Sequence, residues 1–319
     1  MNKGTKIVLI VAYVLLLGYA FCLPRNLFPS PCSATLLSRD GTLLGAQISP
    51  EGQWYFGGRD TVPEKFEKCI ICYEDKRFRL HGGVDPLSVF RAVKQNLGQG
   101  KVVSGASTLT MQVIRMSRAD APRNLPEKLW EAVLATRLEW RCSKDEILGL
   151  YASHAPFGGN VVGLEAAAWR YFGRPADELS WAESATLAVL PNAPALIHPG
   201  RNRERLQAKR DVLLDKLCRK GVIDDTECLL AKDEPLPDKP RPMPDLAYHL
   251  LQRARREGGP REVRSTLDAD LQRRVVAIAG RHFQEYHTNL VDNLGILVAE
   301  IPTGGSWLIM AIRAAVLPD

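Results

Sequence analysis

Hydrophobic positions fall into distinct patterns along the chain, and each predicts a different element. Residues 7 to 23, IVLIVAYVLLLGYAFCL, form an unbroken apolar run behind Lys3 and Lys6. As a helix it rises roughly 25 Å, compatible with a bilayer core, and the lysines ahead of it favour an amino terminus kept in the cytoplasm. The rival reading is a cleaved secretory signal with Gly18-Tyr19-Ala20 as its small-x-small site. The apolar run is long for one, and both readings export the body of the chain. Beyond the run, SATLLSRDGTLLGAQ around Asp40-Gly41 has the form of two short strands and a hairpin turn.

The middle of the chain switches to helical spacing. Phe66, Ile70 and Tyr73 recur on one stripe that begins after Pro63 and ends near Arg77. Later helices announce themselves by Ser or Asn followed three residues on by Glu: Asn124 with Glu127, Ser143 with Glu146 and Ser180 with Glu183. The alanine-rich GLEAAAWRYF stops at Gly173-Arg174-Pro175, and the next helix stops at Pro191-Asn-Ala-Pro194. A basic helix, RNRERLQAKRDVLLDKLCRKG, leads into KDEPLPDKPRPMPD, whose five prolines in fourteen residues predict a stiff linker and a domain boundary. Residues 261 to 319 hold one predicted helix, LDADLQRRVVAIAGRHF, and one apolar strand, LGILVAEI, too little for a second full core.

Composition adds little beyond excluding classes. With 45% hydrophobic and 24% charged residues the chain is an ordinary globular one rather than a disordered one. Its net charge of +6 is scattered among nearly as many acids, which gives a mild bias toward anionic surfaces and no nucleic-acid tract. Seven cysteines form no framework. Cys69-Ile-Ile-Cys72 stands alone, inside a helical pattern and without nearby histidines, so buried thiols are favoured over zinc or redox chemistry.

Three constellations carry candidate chemistry. Glu74 falls in the last turn of its helix, where the backbone dipole disfavours a carboxylate, with Asp75 adding like charge. Both raise an acid's pKa, as general-base work requires, while Lys76 and Arg77 oppose them. His81-Gly82-Gly83 then permits a sharp turn; the bland alternative is a frayed helix end with solvated charges. The second constellation is the small-residue loop Ser104-Gly-Ala-Ser-Thr running into a helix, with Ser107 as the expected N-cap. Thr108, Gln112 and Arg115 lie on one polar face of that helix, suited to a diphosphate, against the alternative of a capped amphipathic helix with a wet face. In the third, Lys128 and Glu131 share a helix face opposite Leu129, Trp130, Val133 and Leu134, an arrangement that a surface ion pair explains equally well. No zinc-protease, P-loop or dinucleotide motif occurs.

Taken in order, EDKRFRLHGGVD (74–85), GASTLTMQ (105–112), KLWEAVLATRLE (128–139), SKDEILGLY (143–151) and the run to WAESATLAVLPNAPALIHP resemble the five signatures of glycosyltransferase family 51, the peptidoglycan polymerases. The resemblance covers about residues 40 to 215. It implies a mainly α, lysozyme-like glycosyltransferase domain (40–228) with a short N-terminal β-hairpin. Ahead of it stand a cytoplasmic tail (1–6) and one transmembrane helix (7–23); a Pro-rich linker (229–245) follows.

The same resemblance assigns roles. Glu74 becomes the general base of an inverting transfer, and Glu131 a second carboxylate that organises the donor or an optional divalent cation, Mg or Mn. Asp75, Phe78 and His81 take places in the first signature, and Ser107, Thr108, Gln112, Arg115 and Lys128 line the donor's diphosphate and sugars. The implied partners are lipid II, the growing glycan strand, the membrane and cell-wall synthesis proteins, at the inner membrane with the catalytic domain in the periplasm. The segment VFRAVKQNLGQGKVV is expected to dip into the interface. Two signature positions depart from the family, Ala106 for a usual glycine and Ser153 for a usual asparagine. RSTLDADLQRRV resembles the opening of a transpeptidase domain, yet S-x-x-K, S-x-N and K-[ST]-G do not occur, so an incomplete stub (246–319) without penicillin-sensitive activity is expected. Rival readings are an inactive anchored scaffold and a lytic muramidase, which would shorten glycan strands rather than lengthen them.

Overall fold

The computed structural model describes residues 3–58, 61–99, 105–118, 121–192, 202–287, 293–299 and 306–313. In chain order its α-helices are α1 (Lys3–Phe21), α2 (Glu64–Tyr73), α3 (Pro86–Gln99), α4 (Leu109–Ser117), α5 (Leu125–Arg141) and α6 (Lys144–His154). Then come α7 (Leu164–Phe172), α8 (Trp181–Val189), α9 (Arg203–Arg219), α10 (Asp225–Asp233), α11 (Tyr248–Arg256) and α12 (Ala269–His287). The strands are β1 (Ala34–Leu37), β2 (Leu43–Gln47), β3 (Trp54–Tyr55), β4 (Val161–Val162), β5 (Glu262–Arg264), β6 (Asn293–Ala299) and β7 (Ser306–Arg313). The fold is mainly helical, as the polar patterning requires.

The chain divides into two compact units. The first takes residues 1–30, 58–159 and 179–236. Within it α2 packs on α8 and α9, while α4 packs on α5 and α6. Phe66, Ile70, Leu109, Ile114, Leu138, Ile147, Leu187 and Leu213 supply its fully buried core. Each such side chain contributes about 1.5–3 kcal/mol by leaving water. Start signals hold the helices in place. Asn124 Oδ1 accepts from Glu127 N at 2.9 Å, and Ser143/Glu146 and Ser180/Glu183 form reciprocal capping boxes. At α4 the cap falls one residue later than the sequence suggests: Thr108, not Ser107, accepts from Met111 N at 3.1 Å. Thr108 Oγ1 also donates to Gly83 O at 2.6 Å, and that tether selects it.

Helix α1 is long and apolar enough to cross a membrane, and it ends two residues before the predicted anchor does. Its carboxyl end is tied to α5. Tyr19 and Thr136 hydroxyls bond at 3.0 Å, Arg137 donates twice to Ala20 O at 3.1 and 3.0 Å, and Arg141 donates to Pro24 O at 2.6 Å. The Arg137 guanidinium on Ala20 O satisfies a helix-end acceptor that has no intrahelical partner and complements the negative dipole end, while Arg141 holds the chain just beyond the helix. Cys69 and Cys72 are buried in α2, and burial pushes the Cys69 thiol up, the opposite of what thiolate chemistry needs.

The second unit takes residues 31–57, 160–178 and 237–319. The expected hairpin forms as β1 against β2, and β5 adds parallel to β1, so the early hairpin and the C-terminal segment share one sheet. Leu36, Leu44, Leu251 and Leu267 make its small core. Helix α7 ends, as expected, on Gly173 with φ +73°. Of the predicted linker, residues 229–233 still belong to α10, and 234–245 carry no helix or strand.

Candidate active site

The first unit brings the end of α2, the loop before α4, α4 itself and α5 to one place. Helix α2 stops because Phe78, fully buried, pulls the chain into a short 3-10 turn over Phe78–Leu80. Glu74 is thereby left as the helix cap, with its own N–H on Ile70 O at 2.8 Å. Asp75 is buried and ties this corner to α4: Oδ2 accepts from Leu109 N at 3.1 Å and pairs with His81 Nε2 at 2.9 Å. Lys144 lies 4.5 Å over the Phe78 ring and donates to His81 O at 2.6 Å. Asp75, Phe78 and His81 thus hold the corner rigid rather than project from it.

Gly83 closes the same loop at φ +92°, where a Cβ would lie 2.7 Å from the Ala135 carbonyl carbon and oxygen on α5. Only glycine lets the two backbones approach so closely.

Helix α4 then presents Gln112 and Arg115 about one turn apart. Gln112 Nε2 donates to Glu74 Oε2 at 2.9 Å. Arg115 grips Glu131 through Nε and Nη2, both at 3.0 Å, with Nη1 unpartnered among the described residues and 44% of its side chain exposed. Glu131 is buried. The surface ion pair is not what forms: Glu131 faces inward onto Arg115, while Leu129, Trp130 and Val133 are exposed and only Leu134 of that apolar group is buried. A buried carboxylate needs a fixed cation, and Arg115 supplies it where a helix-neighbour lysine would not. Lys128 is half-buried on the same helix as Glu131.

Two residues that were not singled out in the sequence complete the surroundings of Glu74. Asn192 Nδ2 donates to Glu74 Oε1 at 3.4 Å, and Lys209 Nζ donates to Asn192 Oδ1 at 3.5 Å. Burial raises the Glu74 pKa above the ordinary glutamate value. Gln112, Asn192 and the Lys209 charge pull against the rise, and Asp75 adds a small push in the same direction. Burial is thus the leading cause, ahead of the like charge expected from the sequence. Burial also lowers Lys209, as does neighbouring Arg205, while Glu74 raises it. Asn192 stands in the LPNAP run, whose legible signal was a helix stop, and Lys209 in a basic helix that reads as surface. Neither pattern announces a neighbour more than a hundred residues away. Residues 193–199 of the fifth signature, and Ser104 of the second constellation, lie outside the described residues.

A family model described as Transglycosylase matches residues 46–218. The chain belongs to the transglycosylase family. All ten residues proposed for the site lie within the matched transglycosylase stretch. Among the chain's relatives are penicillin-binding protein 1C of Escherichia coli K12, 39% identical over 245 residues, and penicillin-binding protein 1A of the same strain, 40% identical over 164. Penicillin-binding protein 1A of Pseudomonas aeruginosa is 37% identical over 175 residues. These matches cover 76%, 51% and 55% of this chain but 32%, 19% and 21% of the relatives, so the chain spans about a third or less of their length.

The chemical capacity of the candidate site follows from its parts. A carboxylate with a raised pKa stands beside an amide that orients it, and a partly exposed guanidinium is fixed nearby by a buried acid. A carboxylate so held is suited to general-base work, and a guanidinium so fixed is suited to an anion. The Glu131 oxygens are committed to Arg115, and among the described residues no group of three or more His, Cys, Asp or Glu converges as a metal ligand set.

Proposed function

We propose that this chain is a membrane-anchored peptidoglycan glycosyltransferase that joins lipid II units into glycan strands. The observation that carries the proposal is the Glu74 carboxylate, held by Gln112 on one oxygen and Asn192 on the other. Glu74 accepts the proton of the acceptor sugar's 4-hydroxyl as that oxygen attacks the anomeric carbon of the donor. The carbon–oxygen bond to the diphosphate breaks, its electron pair leaves with undecaprenyl diphosphate, and the anomeric carbon inverts in a single displacement. Proton transfer to a positioned base of this kind is worth about 10²–10⁴ in rate. The open Nη1 edge of Arg115, with Lys128, meets the charge developing on the leaving diphosphate. Glu131 acts through Arg115 as a positioning residue, and no step is routed through a metal ion.

A lipid-linked substrate stays in the bilayer, so an anchor raises its effective concentration. With helix α1 as that anchor and Lys3 and Lys6 on its cytoplasmic side, the rest of the first unit lies on the periplasmic side of the cytoplasmic membrane in this reading. Exposed Leu125, Leu129, Trp130, Val133 and Trp140 on α5, and Leu87, Phe90, Val93 and Leu97 on α3, support contact with the interface, since large apolar side chains gather there.

Purified full chain in detergent, given lipid II, is expected to yield glycan polymer, and Glu74→Gln to reduce the yield at least about 100-fold. Absence of polymer from the wild-type chain would favour the scaffold reading, and shortening of added glycan strands the muramidase reading.

A further inference from the structure

Helices α9 and α10 pack against each other across the short connection 220–224, and the facing side of each carries a cysteine. Cys218 lies at the end of α9 and is half-buried; Cys228 lies in the first half of α10 and is buried. Two contacts fix the register of the hairpin. Cys218 Sγ donates to Asp225 Oδ1 at 3.0 Å, and one turn back on α9 Asp215 pairs with Lys232 Nζ. Cys228 stands between Asp225 and Lys232 on the same face of α10, one turn from each. It therefore lies opposite the stretch from Asp215 to Cys218, and the two sulfurs meet there as side-chain hydrogen-bonding neighbours. The far end of the hairpin is held separately, by the buried Arg210 donating to Glu234 O at 2.6 Å and to Lys232 O at 2.9 Å. The cysteines stand at the turn end.

We propose that Cys218 and Cys228 are a site of covalent modification, an intrachain disulfide that closes the turn end of the α9–α10 hairpin. The inference rests on the function proposed above for its compartment, since disulfides form and persist in an oxidising periplasm. The chemistry needs a disulfide oxidant. The Cys218 sulfur, the more exposed of the two, loses its proton to solvent and attacks that oxidant, forming a mixed disulfide and expelling one oxidant thiolate. The Cys228 sulfur, its proton also lost, then attacks the Cys218 sulfur and expels the second. Two protein thiols give up two electrons and two protons, and one oxidant disulfide becomes two thiols. Asp225 opposes the first step. Its hydrogen bond to the thiol, followed by burial and by the charges of Asp225 and Cys228, pushes Cys218 up to about 11, so the unbridged pair reacts slowly. Once formed, the bridge braces α9, the helix that packs on α2 and α8 and brings Lys209 to Asn192.

The test uses the full chain in detergent, reduced and then incubated with oxidised glutathione at mildly alkaline pH, denatured, alkylated and mapped by peptide mass. Cys218 and Cys228 are expected to escape alkylation and to appear as one cross-linked peptide that dithiothreitol separates. Alkylation of both, or pairing of either with another cysteine, overturns the assignment. Cells whose thiols are trapped with N-ethylmaleimide before lysis are expected to yield the same cross-linked peptide, and two trapped thiols overturn the proposal. Asp225→Asn is expected to bridge about threefold faster or more, and an unchanged rate overturns Cys218 as the sulfur that meets the oxidant. The bridged chain is expected to melt about 5 °C above the reduced one, a shift absent from Cys218→Ser; equal melting of the two wild-type forms overturns the bracing of α9. Polymer made from lipid II reports the proposed function separately. A chain that bridges without polymerising refutes that function and leaves the disulfide standing, and one that polymerises without bridging refutes the disulfide alone.

Discussion

At the scale of single residues, Glu74 and Lys209 carry the most. Glu74 must be ionised to act, so kcat/KM is expected to fall on the acid side along a limb set by its raised pKa. Removing the Lys209 charge takes away one of the influences holding that pKa down. Lys209→Gln is therefore expected to shift the acid limb to higher pH; a pH–rate profile superimposable on wild type would refute the coupling. The stability consequence has a definite sign. A carboxyl whose folded pKa is raised favours the fold while protonated, and that stability is lost as pH rises from the unfolded value through the folded one. At neutral pH the buried charge is a burden, so Glu74→Gln is expected to leave the Tm equal to wild type or slightly above it while polymerisation is lost. Asp75 and His81 are different. They are legible in the sequence as companions of Glu74, but their contacts show them bracing the corner, since both are buried and bonded to each other.

At the scale of elements, local chemistry predicted the helices well because capping is local. Asn124, Ser143 and Ser180 each satisfy a backbone donor three residues away, and nothing distant can change that spacing. The exception at Thr108 came from a long-range tether to Gly83. The close approach of Gly83 to α5 makes a sharp prediction. Gly83→Ala adds a methyl where Ala135 already stands, at a φ that other residues avoid, and is expected to lower unfolding free energy by roughly 3 kcal/mol or more. Denaturant midpoints measure it, and a loss under about 1 kcal/mol would mean that the loop can move away from α5. The face of α5 was the element least legible in advance. Helical periodicity separates apolar from polar residues but does not say which side meets protein; here the buried side is the one with Glu131, because Arg115 lies across from it.

At the scale of the molecule, the tie between α1 and α5 joins the N-terminal apolar helix to the helix that bears Lys128 and Glu131. Arg137→Ala/Arg141→Ala removes two hydrogen bonds from Ala20 O in the last turn of α1 and one from Pro24 O just beyond it. Amide exchange over residues 17–24 is expected to quicken in the variant, and exchange at wild-type rates would mean that the docking rests on the Tyr19 contacts alone. The sequence by itself determined the apolar helix, the caps, the mainly helical class and the residues of the five signatures, because each depends on neighbours a few positions away. Tertiary structure alone decided that Glu131 answers to Arg115, that Asn192 and Lys209 reach Glu74, and that the early hairpin shares a sheet with β5. Those pairings span from sixteen to more than two hundred residues. No local pattern encodes them, since burial and charge compensation are settled only when distant segments exclude water together.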